Sequence, residues 1–207
     1  MIKLITAVEP LEKGRRAIYI NGELAFVLYR CELARFKLNA GDEADEELLS
    51  RIEGEVLLPR AEKRVLYLLQ KKDYTRHELE EKLRAGKYPQ EVIDGAIDYA
   101  ESFGYVDDAD YARRFLECYM GRMSEGRIRQ KLMQKGLSRE ELEEAFEHYR
   151  KEHPDKEEEE RELILKLLNN RHYDPETADP KEKQKQYAFL MRRGFKSSDI
   201  LSALKGA

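Results

Sequence analysis

The chain has 207 residues, 41% apolar and 39% charged, with a formal net charge of −4. That length allows one large domain or several small ones, and that balance suits thin helical layers rather than one thick core. Twelve glycines and six prolines are too few for a collagenous or linker-dominated chain, no apolar run reaches the length of a membrane span, and no signal peptide is expected from the residues after Met1. The two cysteines, Cys31 and Cys118, are far apart and read as partly buried free thiols in a reducing cytosol.

The first part of the chain looks β-rich. Residues Ile2 to Val8 read as a strand. Ala17–Ile20, then Asn21-Gly22, then Glu23–Leu28 form a hairpin signal, because Asn-Gly accepts positive φ at both central turn positions. Leu33 to Leu38 reads as a short helix, and Gly41 with Asp42-Glu43 as a loop. Glu46 to Leu57 places Leu48, Leu49, Ile52 and Val56 on one helical face. Pro59 is then expected to break or redirect the chain.

From Arg60 onward only helices are expected, in three units. In unit one a helix carries Ala61, Val65, Leu66, Leu68 and Leu69. Thr75 to Glu78 is a capping box that opens a second helix. Pro89 starts a third, with the stripe Val92, Ile93, Ala96, Ile97, Ala100 and Phe103. Gly104-Tyr105 closes it, the tyrosine packing back on the last turn. Unit two repeats the plan. Asp107 or Asp108 caps a helix with Tyr111, Ala112, Phe115 and Tyr119, Ile128 and Leu132 face inward on the next, and Ser138 to Glu141 caps the last. Unit three begins within Glu157 to Glu160, with Ile164, Leu167 and Leu168 on its first face and a longer connection from Tyr173 to Pro180.

A short cassette recurs in all three units: Leu83 to Tyr88, Leu132 to Leu137, and Leu190 to Phe195. Ten positions after each leucine stands Ile93, Leu142 or Ile200, and thirteen after it an alanine: Ala96, Ala145, Ala203. Self-similarity at this period marks a repeat array, and such arrays are usually binding platforms. The first cassette departs from the others, since Gly86 falls one place earlier than Gly136 and Gly194, which alters the turn expected there. The fold class is therefore mainly α, with tandem three-helix repeats in an elongated array. Expected divisions are an N-terminal β-hairpin domain over 1–58, then repeats over 59–106, 107–153 and 154–207.

Several segments in this order resemble the RecX family, bacterial regulators of the RecA recombinase. They are Asp73-Tyr74-Thr75 with Glu78-Leu79 and Lys82-Leu83, then Gly104 to Asp108 with Tyr111-Ala112, then Ile128 to Leu132 with Lys135-Gly136, and Arg192 to Phe195. The resemblance covers about residues 60 to 205. It implies a protein that docks on the RecA filament on single-stranded DNA and modulates, mainly by inhibition, strand exchange, ATP hydrolysis and co-protease activity. It further implies a role in recombination, DNA repair and the SOS response, as a monomeric cytoplasmic protein that touches no membrane, with RecA and single-stranded DNA as partners.

Charge lies in blocks. From Asp110 to Arg139 there are eight Lys/Arg and three Asp/Glu, a local +5, and from Glu140 to Glu162 four and twelve, a local −8. The basic set Arg113, Arg114, Arg122, Arg127, Arg129, Lys131, Lys135 and Arg139 is the first candidate for the partner surface, because guanidinium suits bidentate contact with phosphate or carboxylate. A solvated helix face is the bland alternative, and the shortage of compensating acids tips the balance. Arg192 and Arg193 are further candidates, with helix C-terminal stabilisation as the equal alternative. Most aromatics fall on inward stripes, which favours core packing over base stacking, while Tyr74, Tyr105 and Tyr173 lie at turns and stay open. The four histidines form no ligand set, and no phosphate-binding loop or nucleophile elbow is present. No enzyme, metal or cofactor is expected. A directly DNA-binding helical module acting without RecA is the alternative function, and the acidic total argues against it.

Overall fold

Asn21 and Gly22 turn a β-hairpin with φ of 52° and 88°, the pair of positive angles that the Asn-Gly signal requires. In this computed structural model, which describes residues 3–154 and 158–206, the hairpin strands are β2 (Arg15–Ile20) and β3 (Glu23–Tyr29). With β1 (Lys3–Pro10) and β4 (Glu43–Ala44) they make one antiparallel sheet in the order β3-β2-β1-β4. β4 lies where a loop is expected; two residues carry no periodicity to read. Ile2 and Glu157, each placed in an expected element, lie outside the described residues.

The helices of the first part are α1 (Arg30–Phe36), which starts three residues before the expected Leu33, and α2 (Glu46–Ile52). A π-turn (Glu53–Leu57) joins α2 to α3 (Leu58–Leu69), so Pro59 does not break the chain. The physical reason is local. Leu58 N–H reaches back five residues to Glu53 O, and Pro59 then falls in the first turn of α3, where a missing N–H costs least. α4 (Arg76–Ala85) opens with the expected capping box: Glu78 N–H donates to Thr75 Oγ1 at 3.3 Å and Thr75 N–H to Glu78 Oε2 at 3.4 Å. α5 (Gln90–Ser102) follows, with Pro89 one place outside it as N-cap. Residues Met1–Asp107 form one compact unit. One apolar core runs through it, from Ile5, Ile18 and Leu28 of the sheet to Val65, Leu79, Leu83, Ile93 and Ile97 of the helices. Phe103 and Tyr105 are instead 57% exposed; the next residue, Val106, is the one buried in this core, at 4%.

The second unit, Asp108–Ala207, holds α6 (Asp108–Tyr119), α7 (Glu125–Gln134), α8 (Arg139–Glu152), α9 (Glu159–Asn169), α10 (Pro180–Met191) and α11 (Ser197–Leu204). Helices of 8 to 14 residues are marginal alone, and buried apolar side chains, each contributing about 1.5–3 kcal/mol, offset that. Two cores do so here. Leu116, Ile128, Leu132, Leu142 and Phe146 form one; Ile164, Leu168, Leu190, Phe195 and Ile200 form the other. Tyr173 is tied to the latter through its hydroxyl, which donates to Leu204 O at 2.8 Å. Both cysteines are exposed rather than partly buried. No described helix is long and apolar enough to cross a membrane.

Candidate partner-binding surface

The ten basic candidates divide according to what their side chains already hold. On α6, Asp110 pairs with both Arg113 and Arg114, the latter at 2.9 Å, and Arg113 also holds Glu117 at 2.8 Å. The hydrogen bond from Arg113 is the first cause that keeps the Asp110 carboxyl below its ordinary pKa. Arg129 is the most committed of the set. Its Nε donates to Glu125 Oε1 at 2.8 Å, its two terminal nitrogens to Glu143 at 2.8 and 3.0 Å, and its guanidinium stands 4.2 Å from the Phe146 ring centroid. Burial works to lower its pKa, but the bonds from Glu143 and Glu125 outweigh burial and raise it. All three acids of the +5 segment are thus spent on Arg113, Arg114 and Arg129, which removes the shortage of compensating acids as an argument for those three.

Lys135 lies 5.7 Å from the Tyr111 ring centroid. Arg193 stacks at 4.5 Å on Phe189, whose ring also meets Arg171 at 4.2 Å. Arg122, Arg127, Lys131, Arg139 and Arg192 make no side-chain ion pair or ring contact among the described residues. Arg127 and Lys131, four apart on α7, share a helix face. Arg122 lies in the α6–α7 link, Arg139 opens α8, and Arg192 caps the C-terminus of α10.

The start of α7 carries a cluster that residue spacing did not single out. Ser124 is 1% exposed. Its hydroxyl accepts from Arg127 N–H at 3.3 Å and donates to the carbonyl of Arg193. Glu125, with a side chain 10% exposed, accepts from Arg129 and, at 2.9 Å, from Arg150 of α8, with Lys196 Nζ 3.8 Å away. Burial would raise its pKa, but the bonds from Arg129 and Arg150 prevail and lower it. The Glu125 N–H donates to Glu160 Oε1 at 3.1 Å, and burial pushes the Glu160 carboxyl up, with the Glu125 charge adding to the push. Gly126 lies against the turn at Gly194, where a Cβ would fall under 3.0 Å from the Gly194 carbonyl oxygen. The first turn of α7 is therefore a polar, close-packed joint between the second and third three-helix groups. Only the Glu125–Arg129 pair, at i and i+4, was legible as a signal for it.

Nothing in the described residues groups three or more His, Cys, Asp or Glu for a metal. The geometry is that of a scaffold with free cations on its surface. Three family models match in chain order: RecX, first three-helix domain, over residues 61–99; RecX, second three-helix domain, over 107–145; and RecX, third three-helix domain, over 157–204. The chain is 26% identical over 203 residues to a protein of Clostridium botulinum named Regulatory protein RecX, covering 97% of this chain and 93% of the relative. It is 28% identical to the protein of the same name from Clostridium acetobutylicum, covering 97% and 94%. A solved structure titled Crystal structure of regulatory protein RecX superposes with a TM-score of 0.62 at 26% identity, over 99% of this chain and 100% of that one.

Proposed function

We propose, starting from the fact that this chain belongs to the RecX family of regulatory proteins, that it binds the RecA filament on single-stranded DNA and mainly inhibits it. The inhibited activities are the filament's ATPase, strand exchange and co-protease functions. On this reading the protein acts in the cytoplasm as a monomer, without a cofactor and without turnover of its own, and residues 1–58, 59–106, 107–153 and 154–207 are its modules. The observation that carries the reading is the ordered match of three family domains. The partner surface centres on Arg122, Arg127, Lys131 and Arg139, with Arg192 beside Gly194 as an outlier. Charge without an acidic partner among the described residues is available to a phosphate or a carboxylate on another molecule.

The test is co-sedimentation with preformed RecA filaments, read together with RecA ATPase rate. Reversing Arg122, Arg127, Lys131 and Arg139 to glutamate is expected to weaken filament binding by about tenfold or more, with Arg129 left in place to preserve the fold. A variant with an unchanged melting curve that still binds and inhibits as the parent does refutes the assignment.

A further inference from the structure

The misplaced glycine of the first cassette marks something that the other two repeats lack. Lys87, at φ 63°, takes the left-handed place that Gly136 and Gly194 hold at 94° and 83°. The closing bonds are the same in each copy: Lys87 N–H to Arg84 O and Tyr88 N–H to Leu83 O match Gly136 to Met133 and Leu137 to Leu132. The turn is therefore not altered, contrary to expectation. Gly86 has an ordinary helical φ of −76°, so its backbone does not require glycine. A Cβ there would stand 3.0 Å from the Tyr88 ring and 3.0 Å from Leu83 O. Gly86 thus makes room for the ring.

That ring has a different place from its counterparts. Leu137 and Phe195 are buried at 4% in their own cores, whereas Tyr88 is half-buried and lines an open cleft of about 440 Å³ between the sheet and α3–α4. Arg15, Tyr29, Arg60, Arg64 and Lys82 line it too. Arg60 forms the frame: it donates to Val27 O at 2.6 Å and pairs with Glu32 at 2.9 Å, and its guanidinium lies 5.3 Å from the Tyr29 centroid and 5.5 Å from that of Tyr88. The other three cations are uncommitted. Arg15 spends one N–H on Glu12 O at 3.3 Å. Arg64 and Lys82 lie 5.7 Å and 5.9 Å from the rings of Tyr67 and Tyr74. Among the described residues none of the three has a carboxylate partner, so Glu32 balances Arg60 and three positive charges remain.

We propose that this cleft binds a nucleoside phosphate, either free or as one unit of a single strand. The phosphate sits on Arg15, Arg64 and Lys82, and the base stacks on Tyr29. Guanidinium and ammonium groups supply the charge-assisted bonds that a phosphate accepts. Tyr29, 41% exposed and held beside the Arg60 guanidinium, supplies an aromatic face for a base. No residue of the α6–α8 surface is involved, so the site and the RecA assignment stand or fall separately.

The experiment measures anisotropy of a short fluorescein-labelled oligothymidylate with the full-length protein, in the absence of RecA, across a salt series. The double variant Arg64→Glu/Lys82→Glu is expected to raise Kd at least about tenfold, and to flatten the slope of log K against log salt by up to about 0.7, the one phosphate that the site holds. Tyr29→Ala is expected to raise Kd by about fivefold or more, the loss of one stacked base. Lys181→Glu/Lys183→Glu on α10 makes the same change in net charge and is expected to leave Kd within twofold. Competition by thymidine monophosphate, with inorganic phosphate as control, separates the two sources. Displacement by the mononucleotide shows that one unit is enough, and displacement only by oligonucleotide shows recognition within a strand. Failure of the wild-type protein to bind either ligand overturns the proposal, as does an unchanged Kd in the Arg64/Lys82 variant or an equal loss in the Lys181/Lys183 control.

Discussion

Replacing Gly126 with alanine sets two physical effects against each other. Gly126 is the second residue of α7, where alanine gains at most about 1 kcal/mol of helix propensity. Against this, the new Cβ falls under 3.0 Å from the Gly194 carbonyl oxygen and 3.2 Å from its carbon, both backbone atoms that no rotamer change can move. Overpacking of this kind costs about 1–3 kcal/mol. Retreat of the Gly194 turn would relieve it only by giving up the Ser124–Arg193 hydrogen bond, worth about 1 kcal/mol, and loosening Lys196 from Glu125, a partly exposed pair worth less. The net expectation is a loss of about 1–2 kcal/mol confined to the α7–Gly194 joint. Amide hydrogen exchange should show faster exchange at Gly194–Lys196 and in α11, with α3–α5 unchanged. Gly95→Ala is the matched comparison. It also lies inside a helix, but its Cβ meets only the end of the Leu58 side chain at 3.2 Å, so it should be neutral or stabilising. If Gly126→Ala gains stability as Gly95→Ala does, with protection at Gly194 intact, the close approach is not what holds this joint.

Arg129→Ala should destabilise by about 1.5–3 kcal/mol, since it removes charged hydrogen bonds to Glu125 and Glu143; an unfolding free energy from urea titration within about 0.5 kcal/mol of the parent would show that Arg129 is a surface cation instead. Glu160→Gln should raise the melting temperature at pH 7. A carboxyl whose folded pKa is raised contributes stability below its unfolded value near 4.5 that is lost as pH rises through the folded value, so the gain should shrink towards zero by pH 4, and a pH-independent gain would point to another cause. Lys87→Gly should stabilise by about 1 kcal/mol, because a side chain at φ 63° pays a left-handed penalty that glycine does not; chemical denaturation checks it, and a loss would mean that the lysine makes compensating contacts.

Local signals carried through where both halves of an interaction lie within a few residues. Asn21-Gly22 turned the hairpin, and the boxes at Thr75 and Ser138 opened α4 and α8, the latter with Ser138 N–H on Glu141 Oε2 at 2.6 Å. Pro59 misled because a π-turn five residues long has no sequence signature. Phe103 continued the apolar stripe of α5 yet lies exposed against Tyr99 at 5.0 Å and Tyr105 at 5.9 Å, since periodicity reports a face and not what covers it. The basic set was legible as charge, but Glu143 and Phe146 reach Arg129 from another helix. The cleft at Tyr88 draws on residues from 15 to 88, which no window joins; only the displaced Gly86 hinted at it.

The spacing of 49 residues between the first two repeats gives the charges their clearest meaning. Arg76 opens α4 and holds Glu80 at 3.5 Å, Glu101 at 2.6 Å and Asp98 at 2.9 Å. Forty-nine positions on from Arg76, Glu80 and Glu101 stand Glu125, Arg129 and Arg150, bonded in the same pattern with every sign reversed. The triad ties the second helix of each repeat to its third, and a salt bridge serves equally in either polarity. Inversion alone therefore makes the second repeat more basic, and Arg129 and Arg150 need no partner outside the chain to account for them. Arg127 is different. Its counterpart is Glu78, the acid that completes the first capping box. An arginine there gives up that bond, and it sets a cation at the positive end of a helix, a cost of about 0.3–1 kcal/mol. A local rule broken with no gain inside the fold points outward, and Arg127 is the residue on which the partner surface should be tested first.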